Sequence, residues 1–133
     1  MPSGHCHCGA IRYEVKGDPV YQAVCHCEDC RRNAGAPLVG WAAYAAGSVR
    51  VVQGEPKTYE SSEHGRREFC PECGTGLFYT NEKVLPGLKD VQFCTLDDPE
   101  ALAPQVQVQC ADRLGWMDRL ETVPRFDRYP SSE

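Results

Sequence analysis

The chain has 133 residues, 41% hydrophobic and 25% charged, with a formal net charge of −5. That is the length of one ordinary domain and the composition of a soluble globular protein. No run of about 18 apolar residues is available to span a bilayer, and the acidic balance disfavours broad nucleic-acid binding. The opening Met1-Pro2-Ser3-Gly4 lacks the charged-then-apolar pattern of a secretory signal, so a cytoplasmic location is expected.

In chain order, short β-rich runs alternate with turn residues. Ala10–Val15 and Val20–Cys25 flank Gly17-Asp18-Pro19; Leu38–Ala45 is a longer apolar run, and Val49–Val52 follows Gly47-Ser48. After the Gly54-Glu55-Pro56 turn come Lys57–Ser61, Arg66–Cys70, Gly76–Tyr79, Val91–Leu96 and Gln105–Cys110. One short helix is expected over Cys27–Asn33, with a further helical turn near Asp97–Glu100. The pattern predicts a mainly β fold with minimal helix, forming a single domain over residues 1–133 with a fraying tail from Pro124 that is least ordered at Ser131–Glu133.

Nine cysteines are the informative count. Cytosolic thiols stay reduced, so a dense set points to metal or catalysis rather than disulfides. Placement sharpens this, because the cysteines gather as Cys6/Cys8, Cys25/Cys27/Cys30 and Cys70/Cys73, leaving Cys94 and Cys110 alone. Those two alternate with apolar neighbours and are expected to be small core residues.

Cys70-Pro71-Glu72-Cys73-Gly74 is a zinc-knuckle sequence that supplies half a tetrahedron. In an extended Cys6-His7-Cys8, residues two apart share a face, so both sulfurs can supply the other half. The expectation is a closed site of Cys6, Cys8, Cys70 and Cys73, with His5 and His7 as spare ligands and His7 turned away. Cys25, Cys27 and Cys30 offer three sulfurs without an obvious fourth, the pattern of an open, catalytic zinc. Closure by Cys94, Cys110 or His26 would make that site structural instead, and Cys27/Cys30 also has the spacing of a redox pair. Arg31 beside this cluster suits a carboxylate-bearing ligand, Arg32 reads as a solvated helix face, and His26 or Glu28 could carry a proton. His64 reads as a loop residue.

Gly4–Tyr13, Cys25–Arg31 with Gly35, Cys70–Gly74 with Leu77-Phe78-Tyr79, Thr95–Pro99, Trp116 and Pro124–Asp127 form an ordered set. It resembles the glutathione-dependent formaldehyde-activating enzyme (Gfa) family, whose domain is shared with centromere protein V. The resemblance implies a β-tent of packed antiparallel sheets. It implies a structural zinc on Cys6, Cys8, Cys70 and Cys73, and a labile or catalytic zinc on Cys25, Cys27 and Cys30. It further implies a carbon–sulfur lyase that condenses glutathione with formaldehyde to S-hydroxymethylglutathione, with a small thiol and an aldehyde as partners. Asn81–Asp90 carries no legible substrate-binding signature. Two rival functions follow from the same residues. One is a non-catalytic zinc-binding structural or interaction module. The other is methionine sulfoxide repair, which the C-x-C plus C-x-x-C pairing does not match.

Overall fold

The computed structural model describes residues 2–130. Among the described residues, ten strands and one α-helix make it mainly β: β1 Ser3–His5, β2 Arg12–Val15, β3 Tyr21–Cys25, α1 Glu28–Ala34, β4 Val39–Ala45, β5 Val49–Gln53, β6 Lys57–Tyr59, β7 Gly65–Phe69, β8 Gly76–Asn81, β9 Leu88–Gln92 and β10 Val106–Val108. A three-stranded sheet runs β1-β2-β5 and a seven-stranded sheet runs β10-β3-β4-β9-β8-β7-β6. All pairings are antiparallel except β10 with β3. No helix is long and apolar enough to cross a membrane among the described residues.

The small sheet packs its inward alternate residues, Tyr13 and Val15 of β2, against Ala42, Tyr44, Leu77, Phe78 and Val91 of the large one. Tyr13 meets Phe78 edge-on at 5.0 Å between ring centroids, and its hydroxyl is bonded to Thr95 Oγ1 at 2.6 Å. β4 is buried from Val39 to Tyr44 because both its faces are covered. Ala42 and Tyr44 look into this core, while Val39 and Trp41 look the other way, onto a second cluster with Cys25 and Cys30. That is why its sequence reads as a continuous apolar run rather than an alternation.

Three expectations are corrected. The strand expected over Val91–Leu96 is Leu88–Gln92, and Phe93–Thr95 instead turns as a 3-10 helix. That change of period carries Cys94 to the surface, so it is exposed and not a core residue. Cys110 is exposed as well: β10 is an edge strand with every residue exposed, and Cys110 opens a 3-10 turn beyond it. β1, which no alternation signalled, pairs with β2 through three residues. Residues 124–130 are exposed and carry no strand or helix; the expectation for Ser131–Glu133 lies outside the described residues.

The small sheet approaches the rest closely at Gly4, where a Cβ would lie 2.5 Å from both the Thr95 carbonyl oxygen and the Tyr13 hydroxyl. A Gly4→Ala substitution is therefore expected to destabilise the protein by about 1–3 kcal/mol, read as a lower urea midpoint with an unchanged slope. An unaltered midpoint would show that this packing is loose.

Candidate metal centres and cavity

Two turns build the first sulfur cluster. In one, Cys6 N–H bonds the Ile11 carbonyl and Gly9 N–H the Cys6 carbonyl. In the other, Cys70 N–H bonds the Thr75 carbonyl and Gly74 N–H the Cys70 carbonyl, with Gly74 at φ 83°, a conformation that favours glycine. Together they bring the sulfurs of Cys6, Cys8, Cys70 and Cys73 within 4.8 Å of one another. Cys6 Sγ lies 3.7 Å from Cys8 Sγ, and Cys8 Sγ lies 3.8 Å from Cys70 Sγ. A tetrahedral ion with metal–sulfur bonds of 2.3 Å sets its sulfurs about 3.8 Å apart, so the cluster has the dimensions of a zinc site.

Backbone amides already point at these sulfurs. Ile11 N–H donates to Cys6 Sγ at 3.2 Å, and the Glu72 and Cys73 amides donate to Cys70 Sγ at 3.4 and 3.5 Å. Thr75 stitches the halves together: its Oγ1 accepts from His7 N–H at 3.0 Å and lies 3.2 Å from Cys73 Sγ. The Thr75 hydroxyl, then the Thr75 and Cys8 amides, pull the Cys73 thiol down to about 5, while Cys8 in the same cluster is pushed up. His7 is exposed. His5 uses Nδ1 on the Cys6 carbonyl at 2.6 Å and Nε2 on Asp97 at 3.6 Å.

The second cluster joins the end of β3 to α1. The Cys25, Cys27 and Cys30 sulfurs also lie within 4.8 Å of one another. Cys27 caps the helix, its sulfur accepting from Cys30 N–H at 3.3 Å. Burial pushes the Cys25 thiol up to about 12 and raises Cys30 too. Burial thus favours the protonated form of Cys25 and Cys30, and a cation bound there would oppose it. Neither Cys94, Cys110 nor His26 joins the group found within that radius. His26 is fully buried, alternates away from the cysteines, and bonds Gln107 Oε1 through Nε2 at 2.8 Å.

A cavity of about 850 Å³ opens beside this cluster. Its floor follows from sheet register. Tyr21 pairs with Ala43, Ala43 with Asp90, Asp90 with Tyr79, and Tyr79 with Arg67; directly opposed residues share a face, so the row crosses five strands on one side. Arg67, 8% exposed, stacks over Tyr79 at 4.8 Å and reaches Cys30 Sγ at 3.9 Å. Asp90, 5% exposed, has its single side-chain bond from the Tyr21 hydroxyl at 3.4 Å. Neither belongs to an ion pair among the described residues.

Of the other residues singled out by sequence, Glu28 lies at the cavity's edge and pairs with Arg32 at 2.9 Å, both exposed. Arg31 does not line the cavity, and its Nε is buried without a hydrogen-bond partner. His64 is an exposed loop residue beside Glu63. The segment without a legible signature contributes Val84 and Leu85 to the cavity wall, held in place because Asn81 Oδ1 accepts from the Lys83 and Val84 amides. Sequence singles out none of Arg67, Asp90 and Tyr21, and it reaches Tyr79 only within the Leu77-Phe78-Tyr79 stretch of the family resemblance.

Burial raises the Asp90 carboxyl from the ordinary 3.8 to about 6. The folded state then binds more protons than the unfolded one between those values, so Asp90 lowers stability as pH rises through that window. Asp90→Asn is expected to be more stable than the parent at pH 7, by up to about 2–3 kcal/mol. The gap should close towards pH 4, measured by denaturant titration of both proteins at each pH. A less stable variant at pH 7 would contradict this account of the buried carboxylate.

The family model for the glutathione-dependent formaldehyde-activating enzyme matches residues 1–112. An uncharacterized lyase of Schizosaccharomyces pombe is 32% identical over 111 residues, covering 73% of this chain and 80% of that protein. A Halomonas elongata protein, named provisionally as a glutathione-dependent formaldehyde-activating enzyme, is 34% identical over 85 residues. That match covers 56% of this chain and only 53% of the Halomonas protein, about half its length. The crystal structure of a Rhodobacter sphaeroides protein shares the fold at a TM-score of 0.65 and 25% identity, covering 80% of this chain and 99% of that one. With most of its length matched by the family model, the chain belongs to the glutathione-dependent formaldehyde-activating enzyme family.

Proposed function

We propose that this protein is a zinc-dependent enzyme of the carbon–sulfur lyase type, joining a small thiol such as glutathione to formaldehyde or a similar small electrophile. The observation that carries the reading is the contrast between two sulfur clusters, one of four cysteines and one of three with a cavity at its side. The donor chemistry fits zinc at both, since thiolate sulfur is its preferred ligand in closed and open sites alike. Cys6, Cys8, Cys70 and Cys73 would complete a tetrahedron and serve the fold. Cys25, Cys27 and Cys30 would hold a second ion. When bound there, zinc would supply an open position that keeps a substrate sulfur ionised at neutral pH.

The rest of the chemistry falls to the chain. Three thiolates on a divalent ion leave a surplus negative charge, and the Arg67 guanidinium beside Cys30 offsets it. The same guanidinium can donate to an aldehyde oxygen as that atom gains charge during sulfur attack. In this addition the S–H bond breaks, a C–S bond forms, and the carbonyl oxygen takes up a proton. Glu28, exposed at the cavity's edge, can pass the thiol proton to solvent, a role for which His26 is turned away towards Gln107. Trp41 and Tyr79 form apolar walls that limit water. Arg67 lines the cavity where Arg31 does not, so Arg67 is the better-placed partner for an anionic group.

Titrating the cobalt-substituted protein with glutathione should change its visible spectrum saturably, and Cys30→Ala should abolish that change. An unperturbed spectrum would contradict thiol delivery at the metal. By nuclear magnetic resonance assay of adduct formation from glutathione and formaldehyde, Arg67→Gln should lower kcat about 10²-fold, with partial rescue by Arg67→Lys. Unchanged turnover in Arg67→Gln would remove Arg67 from the reaction.

A further inference from the structure

Asp90 lies across the cavity from the cysteines, and packing alone gives no reason for a carboxylate there. It is 5% exposed, and its Tyr21 partner at 3.4 Å is beyond the usual range for an O–H···O bond. Lys89, its neighbour in sequence, pairs with Glu68 at 2.9 Å. Arg67, in the same row, lies against Cys30 and the Tyr79 ring and forms no ion pair with Asp90. Ala43, between Tyr21 and Asp90 in register, is too small to cover the carboxylate, which therefore faces the open space. A buried carboxylate without a cation is costly, and such groups gather where a ligand completes them. The lining as a whole leans the same way, with Glu28, Asp29, Asp90 and Asp112 against the single guanidinium of Arg67.

The spacing limits what could complete it. Cys25 and Asp90 are separated by four residues along the strand direction and two strands across, about 16 Å between backbones on a flat sheet. After the side chains and a bound ion take their share, a span of roughly 10 Å remains, the length of about three extended residues.

We propose that Asp90, with Tyr21 beside it, is the specificity determinant of the cavity, receiving a cationic amine that the thiol co-substrate carries at the end remote from its sulfur. This rests on the thiol chemistry proposed above and narrows it to short amine-bearing thiols of peptide size. Burial holds the empty carboxyl up at about 6, and an arriving ammonium would offset the cost of its buried charge.

The test is calorimetric titration of the metal-loaded protein with glutathione and with N-acetylglutathione, whose amine is capped as a neutral amide. The parent protein should bind glutathione about 10- to 100-fold more tightly than the capped form. Asp90→Asn should bind both with the affinity the parent shows for the capped one. Equal binding of the two thiols by the parent protein overturns the inference, as does a preference that survives in Asp90→Asn. The parent comparison needs no variant, so it decides the matter on its own. Failure of the parent to bind either thiol overturns the proposed function along with the inference, whereas equal binding overturns the inference alone.

Discussion

Everything in this molecule is arranged around sulfur atoms that segments far apart in sequence force together. Cys8 and Cys70 are 62 positions apart, yet their sulfurs lie 3.8 Å from each other. Four such atoms, aimed at by backbone amides and stitched by Thr75, would repel as free thiolates and gain little as thiols. A divalent cation would resolve the conflict. Apparent binding energies for structural zinc run about 10–16 kcal/mol, comparable to the whole net stability of an ordinary domain. The ion would thus tie the turn ahead of β2 to the turn between β7 and β8, and so hold the small sheet against the large one.

The second consequence is a sheet with two different faces. One face of the seven-stranded sheet meets Tyr13, Ile11 and Val15 and is closed. The other carries the three-cysteine cluster and the row from Tyr21 to Arg67, and stays partly open. A sheet buried on one side tolerates costly groups on the other, because the closed core supplies the stability they remove. Asp90 and Arg67 are such groups: buried, charged and without ion-pair partners among the described residues. A fold selected for stability alone would have replaced them with apolar residues.

How much of this can be read in the chain depends on distance along it. The cysteine groups are legible because ligand chemistry demands particular residues at short spacings, and Cys70-Pro71-Glu72-Cys73-Gly74 or Cys25-His26-Cys27 satisfies that locally. The mainly β character is legible for the same reason, since alternation and turn residues are local. Arg67 and Asp90 are invisible because they become neighbours only through register across several strands, and no local spacing records that. Arg31 drew attention by adjacency in sequence, yet its place on the helix keeps it out of the cavity lining. Cys94 and Cys110 misled because alternation was extended beyond the strand ends, into 3-10 turns where the period changes.

The most direct measurement is metal analysis of protein purified without chelator, followed by the kinetics of release to a chromogenic chelator. The account predicts two zinc ions per chain, one leaving fast and one slowly, with Cys30→Ser abolishing the fast phase and sparing the slow one. Protein that carries no zinc while keeping its fold, with Cys6, Cys8, Cys70 and Cys73 all free to react with a thiol reagent, would contradict it.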